Sequence, residues 1–366
     1  MPLADAYAAC ARLAAAHYEN FPVASRLVPS GMRPHIAAVY AFARVADDFA
    51  DEDGYTLAER HALLEDWHRR LLRAAGSQIA GTEVPAPHRP VPAARQPACR
   101  SLEPASRSQE PAFTPQRRHG VERPVEVRPG LQPAASESRN VRQRSENVKP
   151  GLQSGRTAVD PDLIFLALAH TMKSCSLEVG LFEDLLSAFR QDTVVKRYAT
   201  WDDVLDYCRR SANPVGRLVL RIAGYRDPDL DRSSDALCTA LQLTNFWQDL
   251  AVDWRRGRLY IPLAERDAAG ARDVDLDAAR ITPAWQAVLG QATARTRELF
   301  ERGRPVCDGV HGRLMYELRL TWLGATRILD RLEASRFDVF ERRPSLRAAD
   351  APRLVGGLIT WRRRIA

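Results

Sequence analysis

The chain has 366 residues, 45% of them hydrophobic, enough to bury a substantial core, and a formal net charge of +7. Residues 76–159 hold 13 Lys and Arg against 7 Asp and Glu, which leaves the rest of the chain close to neutral. The basic balance therefore belongs to one segment, and no nucleic-acid partner is expected from it. No run approaches the ~18 apolar residues of a membrane-spanning helix.

The N-terminus carries Asp5 and no basic stretch ahead of a long apolar one, a poor match to a secretory signal. Cys10, Cys99, Cys175, Cys208, Cys238 and Cys307 lie far apart, without zinc-ligand or redox spacing, so reduced thiols are expected. Together these features point to a cytoplasmic protein and leave open a peripheral contact with the inner membrane.

In chain order, residues 3–16 read as a short Ala-rich helix, and Pro22 and Pro29 mark a break. After Pro34 a helical pattern of Ile36, Val39, Tyr40, Phe42 and Ala43 runs into Arg44, Asp47, Asp48, Asp51 and Glu52, with Gly54 as a stop signal. Asp47 and Asp51 are four apart, and Arg44 is three before Asp47. The spacing predicts an amphipathic helix over 57–75, with Leu63, Leu64, Trp67, Leu71 and Leu72 on one side. Residues 76–159 then carry 12 of the 24 prolines and no periodic apolar pattern. They read as a disordered Pro/Arg-rich insertion in which the 126–132 stretch partly recurs at 146–153.

Order returns at Asp160-Pro161-Asp162, an N-cap-like helix start. Helical periodicity continues over 182–189, 201–220, 235–254, 283–304, 314–332 and 342–365, with almost no strand-like alternation. The expected fold class is all-α, a single domain formed by residues 1–75 and 160–366 and interrupted by the insertion.

The stretch 241–262 carries the densest chemistry. Gln242, Asn245, Asp249 and Asp253 are three and four apart, so a helix would set them in one polar stripe while Phe246, Trp247, Leu250 and Val252 pack elsewhere. Taken alone, two carboxylates on adjacent turns are a solvated face or a cation site; paired with Asp47 and Asp51 they form a second proposition. Four carboxylates facing each other would hold several Mg²⁺ ions, which in turn would grip a diphosphate and stabilise it as it leaves. Asp48 and Glu52 are extra ligands or solvated neighbours. Arg44, Arg258 and Lys196 are candidate diphosphate donors. The cation left behind needs aromatic faces, which Phe21, Tyr40, Tyr207 or Phe246 could supply.

The stretches Tyr40-Ala-Phe-Ala-Arg-Val-Ala-Asp-Asp-Phe-Ala-Asp51 and 242–262 resemble the two aspartate-rich motifs of the squalene/phytoene synthase family. The resemblance covers about residues 15–75 and 160–300. Within the family the chain looks similar to bacterial hydroxysqualene synthases of hopanoid pathways, through Asn20-Phe21-Pro22-Val23, Leu185-Leu-Ser-Ala-Phe-Arg-Gln-Asp192 and the run 197–216. Members making squalene or phytoene usually read Tyr-Cys-Xaa-Xaa-Val-Ala-Gly-Xaa-Val-Gly, where this chain has Tyr207-Cys-Arg-Arg-Ser-Ala-Asn-Pro-Val-Gly216. Pro214 removes a backbone donor there, and Arg209 and Arg210 change the polarity.

The resemblance implies a class I terpenoid synthase fold with a central cavity. It implies ionisation of presqualene diphosphate with Mg²⁺ and capture by water to give hydroxysqualene, with no NADPH. Asp47, Asp51, Asp249, Asp253 and Tyr207 would be catalytic, and the four aspartates with Asn245 would hold the metal. Phe21, Tyr40, Arg44, Gln242, Asn245, Arg258 and Tyr260 would contact substrate. Head-to-head condensation of two farnesyl or geranylgeranyl diphosphates stays open, as do a non-catalytic role as helical partner of another synthase and association with other enzymes of the pathway. His17 reads as structural. Trp361-Arg-Arg-Arg364 reads as a solvated tail, with a membrane interface as its rival.

Overall fold

Apolar side chains three and four apart need a helix to share one face. The computed structural model describes residues 2–16, 27–51, 54–76 and 159–362, and among them there is no strand, only an isolated bridge between Arg197 and Leu259. Before the 77–158 stretch come α1 (Leu3–Ala16), α2 (Arg33–Asp51) and α3 (Leu57–Gly76). After it follow α4 (Pro161–Cys175), α5 (Val179–Asp192), α6 (Trp201–Ser211), α7 (Asn213–Ile222), α8 (Pro228–Gln248) and α9 (Leu250–Arg255). The series ends with α10 (Leu263–Ala269), α11 (Asp273–Asp277), α12 (Pro283–Gly303), α13 (Val306–Gly309), α14 (Gly312–Ala334) and α15 (Ala351–Ile359). Nearly all of the expected insertion lies outside the described residues, as do His17, Phe21, Glu52 and Cys99.

Local chemistry starts the helices where the sequence suggests. Asp160 caps α4, its side chain accepting the Asp162 N–H at 2.9 Å, and Pro161 occupies the first turn, where a missing N–H costs nothing. Thr200 and Asp203 close a reciprocal capping box at the start of α6.

Two groups of helices carry the aspartate stripes. α2 packs against α1, α3, α4 and α5, around an aromatic core in which Phe42 meets Phe182 at 5.4 Å and Trp67 meets Phe165 at 4.6 Å between ring centroids. The Trp67 indole N–H donates to the Phe42 carbonyl at 3.2 Å, so the polar edge of this buried ring is satisfied. α8 packs chiefly on α12 and α7. Gly303 on α12 permits this: a Cβ there would lie 2.5 Å from the Leu237 backbone nitrogen.

Four details differ from the sequence expectation. The 235–254 helix is interrupted at Asp249 (φ −100°, ψ 8°), which separates α8 from α9. The Asp249 N–H still donates to Asn245 O at 2.8 Å, and the Asp253 N–H to Asp249 O at 2.8 Å, so the hydrophobic phase survives and periodicity cannot reveal the break. The kink expected at Asn213-Pro214 is a full break, the 201–220 stretch forming two helices that meet at Ala212, because Pro214 fits only in a first turn.

The expected 342–365 helix is confined to α15, since Pro344 lacks a donor and Pro352 again fits only at a helix start. Leu72 is 44% exposed, one residue and about 100° round the helix from buried Leu71.

Candidate active site

The C-terminal end of α2 presents one acidic face. Arg44 donates to Asp47 at 3.3 Å and to Asp48 at 2.5 Å, so the guanidinium is shared by two carboxylates on its own helix. Burial, and then the charge of Asp51, push Asp47 up to about 7 despite Arg44. Tyr40, one turn before Arg44, is partly buried, and burial raises its phenol.

The opposing face comes from α8, α9 and the loop after them. Gln242 and Asn245 are partly buried on α8, and the Asn245 amide donates to Asp249 at 2.8 Å. Burial and the neighbouring Asp249 push Asp253 up to about 7. Just past the end of α9, Gly257 has a φ of +74° that lets the chain turn back, with the Arg258 N–H donating to Asp253 O at 2.8 Å. That turn aims the Arg258 side chain at α2. Its guanidinium grips Asp51 with both terminal nitrogens, Nη1 donating to Oδ2 at 3.2 Å. Burial would raise Asp51, but the Arg258 fork outweighs it and holds the carboxyl below the usual range.

Tyr260, near enough to Arg258 to act on its charge, belongs to an aromatic cluster. The loop before α6 and the loop after α9 run together, Leu259 N–H donating to Lys196 O at 3.0 Å and Leu263 N–H to Tyr198 O at 2.9 Å. They bring Tyr198 and Tyr260 face to face at 5.6 Å, and Tyr260 stacks on Phe246 at 3.6 Å with the rings parallel. Tyr207 closes the group, 5.9 Å from Tyr260 and 6.1 Å from Phe246.

The Tyr207 hydroxyl donates to Asp192 Oδ2 at 2.7 Å, while Oδ1 of this buried carboxylate has no partner. Burial raises Asp192 to about 6, against the lowering effect of the Tyr207 bond and Arg258. Lys196, whose ammonium donates to the Asp192 carbonyl, is lowered by burial and then by Arg258.

The arrangement thus joins Asp51 to Arg258 across the two acidic segments and sets Tyr207, Phe246 and Tyr260 together. Asp47, Asp253, Asn245 and Gln242 line the same two segments, but among the described residues no three His, Cys, Asp or Glu side chains converge as a closed metal site. Phe21, a predicted substrate contact, lies outside the described residues. The donor set nevertheless fits a hard divalent cation: oxygen ligands in two pairs, with one carboxylate of each pair raised to about 7 by burial and its like-charged partner. A bound cation would relieve that repulsion.

One residue escaped the sequence reading entirely. Arg343, on the arm between α14 and α15, grips Asp249 through Nε and Nη2, the second contact at 3.1 Å. Ninety-four positions separate the pair, and nothing distinguishes Arg343 from its neighbour Arg342 in the sequence. From the sequence, Asp192, Lys196 and Arg197 read equally as a border of the diphosphate site and as a surface charge cluster, and neither reading makes Asp192 a buried partner of Tyr207.

The squalene/phytoene synthase family model matches residues 14–119 and 120–350. The chain belongs to the squalene/phytoene synthase family. It is 31% identical over 294 residues to a hydroxysqualene synthase of Zymomonas mobilis, covering 80% of this chain and 71% of that protein. It is also 37% identical over 181 residues to a hydroxysqualene synthase of Rhodopseudomonas palustris, a match that spans 49% of this chain and 61% of the relative's length.

The crystal structure of squalene synthase HpnC from Alicyclobacillus acidocaldarius superposes with a TM-score of 0.65 at 30% identity, covering 92% of this chain and 97% of that one. A dehydrosqualene synthase superposes with a TM-score of 0.68 at 17% identity, a likeness of fold, covering 98% of this chain and 96% of that one. The fold is the all-α terpenoid synthase fold, and the protein is an enzyme of isoprenoid biosynthesis. Its family acts on farnesyl diphosphate-type substrates, generally with a divalent metal.

Proposed function

We propose that this synthase ionises presqualene diphosphate and directs water onto the resulting cation, giving hydroxysqualene and diphosphate in squalene and hopanoid biosynthesis. The reading rests on one relationship, the Arg258–Asp51 fork in electrostatic reach of Tyr260 and Asp192, which join the cluster of Tyr198, Tyr207 and Phe246. The two hydroxysqualene synthases similar to this chain support the same product class.

Asp47, Asp51, Asn245, Asp249 and Asp253 are the residues that would hold Mg²⁺, which when bound neutralises the charge that accumulates on a departing diphosphate. Arg44, Arg258 and Arg343 lie beside those carboxylates and offer planar forks for phosphate oxygens. Gln242 and Asn245 supply amide donors from α8, and Tyr40 a phenol from α2. The electron-rich cluster of Tyr198, Tyr207, Phe246 and Tyr260 suits the neighbourhood of a delocalised carbocation, and Phe21 is assigned to the same lining.

As the C–O bond breaks, diphosphate leaves with the electron pair. Water then bonds to the rearranged cation, and its proton passes to the Tyr207–Asp192 pair. Asp192, with one unpartnered oxygen and a carboxyl raised to about 6, is ionised at neutral pH and able to receive it.

No nicotinamide enters this reaction. One synthase domain from residues 1–75 and 160–366, working in the cytoplasm, completes the reading. No described helix is long and apolar enough to cross a membrane.

The test is incubation of the purified full chain and Mg²⁺ with presqualene diphosphate or farnesyl diphosphate, with and without NADPH, followed by analysis of the extracted lipid. Hydroxysqualene from presqualene diphosphate without NADPH supports the proposal. Phytoene, or squalene formed only with NADPH, transfers the protein to head-to-head condensation, and inertness toward every substrate leaves a non-catalytic partner.

A further inference from the structure

Helix α15 carries apolar residues on its solvent side. Pro352, Val355 and Ile359 fall three and four apart on one outward face, and Val355 and Ile359 are 51% and 78% exposed. The inward side combines partly buried Leu354 and Leu358 with Gly357, where a Cβ would come 3.0 Å from the Leu323 side chain, so α15 lies close on α14. The helix is therefore apolar on both sides, where a surface helix usually turns a polar face outward.

Both ends of α15 are fixed. Before it, buried Asp350 accepts from Arg327 at 3.1 Å and from Arg331 at 2.8 and 2.9 Å. After it, the Trp361 indole N–H donates to Asp308 at 2.9 Å, and its ring meets the Arg304 and Arg319 guanidinium carbons at 4.2 and 5.3 Å. Trp361 is thus docked on the protein, neither part of a solvated tail nor free to enter a bilayer. Held at both ends, the helix cannot turn Val355 and Ile359 inward.

The charge around this face is one-sided. Residues 341–362 contain five arginines, of which Arg343 is taken by Asp249, against two acids, Glu341 and Asp350, the second already neutralised by Arg327 and Arg331. Arg342, Arg347, Arg353 and Arg362 are exposed. An apolar helical face bordered by arginines matches a surface that is anionic outside and apolar beneath, as a bilayer containing acidic lipid is. A protein groove would require charge and shape complementarity over a helix of only nine residues.

We propose that α15 docks this protein peripherally on an anionic lipid bilayer, with Pro352, Val355 and Ile359 entering the boundary between headgroups and acyl chains and the flanking arginines meeting lipid phosphates. The inference is independent of which prenyl diphosphate the enzyme uses.

The test is co-sedimentation of the full chain with vesicles of phosphatidylcholine alone or with about 30% phosphatidylglycerol, at about 0.1 M and about 0.5 M salt. Binding is expected only to the anionic vesicles and is weakened at the higher salt. Val355→Ser combined with Ile359→Ser lowers the vesicle partition coefficient about 10-fold or more, with the melting temperature unchanged because both side chains are exposed. Arg353→Gln with Arg362→Gln weakens binding and reduces its salt dependence.

Undiminished binding by the Val355/Ile359 variant overturns the proposal, as does failure of the wild type to bind either vesicle. A dimer that this double substitution dissociates, without vesicle binding, assigns the face to a second copy of the chain and also overturns it.

Discussion

Arg258 and Asp51 stand 207 positions apart in sequence, yet the arginine fork closes on the carboxylate with Nη1 3.2 Å from Oδ2. α2 brings the aspartate, and the left-handed turn at Gly257 brings the arginine. The contact fixes how the two acidic segments face each other, and it leaves Asp47 and Asp253 without a matching fork.

Arg258→Lys keeps the charge and loses the fork, so it separates geometry from electrostatics. The account expects kcat/KM to fall about 10²-fold, as a small misplacement of a positioning group does, with the melting temperature little changed. Steady-state kinetics on presqualene diphosphate check this, and wild-type rates would remove Arg258 from the site.

Metal-free stability should fall with rising pH. Asp47 and Asp253 are pushed up to about 7 in the folded chain, against about 4 when unfolded. Between those values the folded chain retains protons that the unfolded chain has released, so the stability of the neutral forms is lost as pH rises toward 7. In EDTA the melting temperature declines between about pH 5 and 7, Asp47→Asn flattens the decline, and Mg²⁺ restores stability at pH 8. A flat profile would contradict the raised carboxyls of Asp47 and Asp253.

Arg343 occupies Asp249 in the same way that Arg258 occupies Asp51. Removing a competing ion pair worth up to about 1 kcal/mol should tighten divalent-metal binding about 5-fold. Titration of Arg343→Gln with Mn²⁺ is expected to show this, while inorganic diphosphate binds the variant more weakly in the presence of metal. Loss of metal affinity would instead make Arg343 a support for Asp249.

The Tyr207–Asp192 pair carries the proton assignment. Asp192 is ionised above about pH 6 and protonated below, so kcat should decline as pH drops through that value. Asp192→Asn and Tyr207→Phe each slow alcohol formation about 10²-fold and remove this limb. A limb unchanged in both variants would place the base elsewhere.

Much of this was legible from spacing. Asp47 and Asp51, or Asn245 and Asp249, announce themselves because helical phase is written in the sequence, and Asp160-Pro161 marks a cap by local chemistry alone. What escaped is what depends on tertiary contact. The break at Asp249 keeps the helical phase, Arg343 is one arginine among many until the arm after α14 folds back, and Asp192 becomes distinctive only once Tyr207 is packed over it. Outward Ile359 likewise reads as an ordinary apolar residue until Gly357 is seen against Leu323.

The most direct test of the central claim is turnover of presqualene diphosphate in water enriched in heavy oxygen, with Mg²⁺ and without NADPH. The account predicts a C30 alcohol carrying one heavy oxygen and released diphosphate carrying none. Unlabelled alcohol, label in the diphosphate, or a hydrocarbon as the sole product would contradict it.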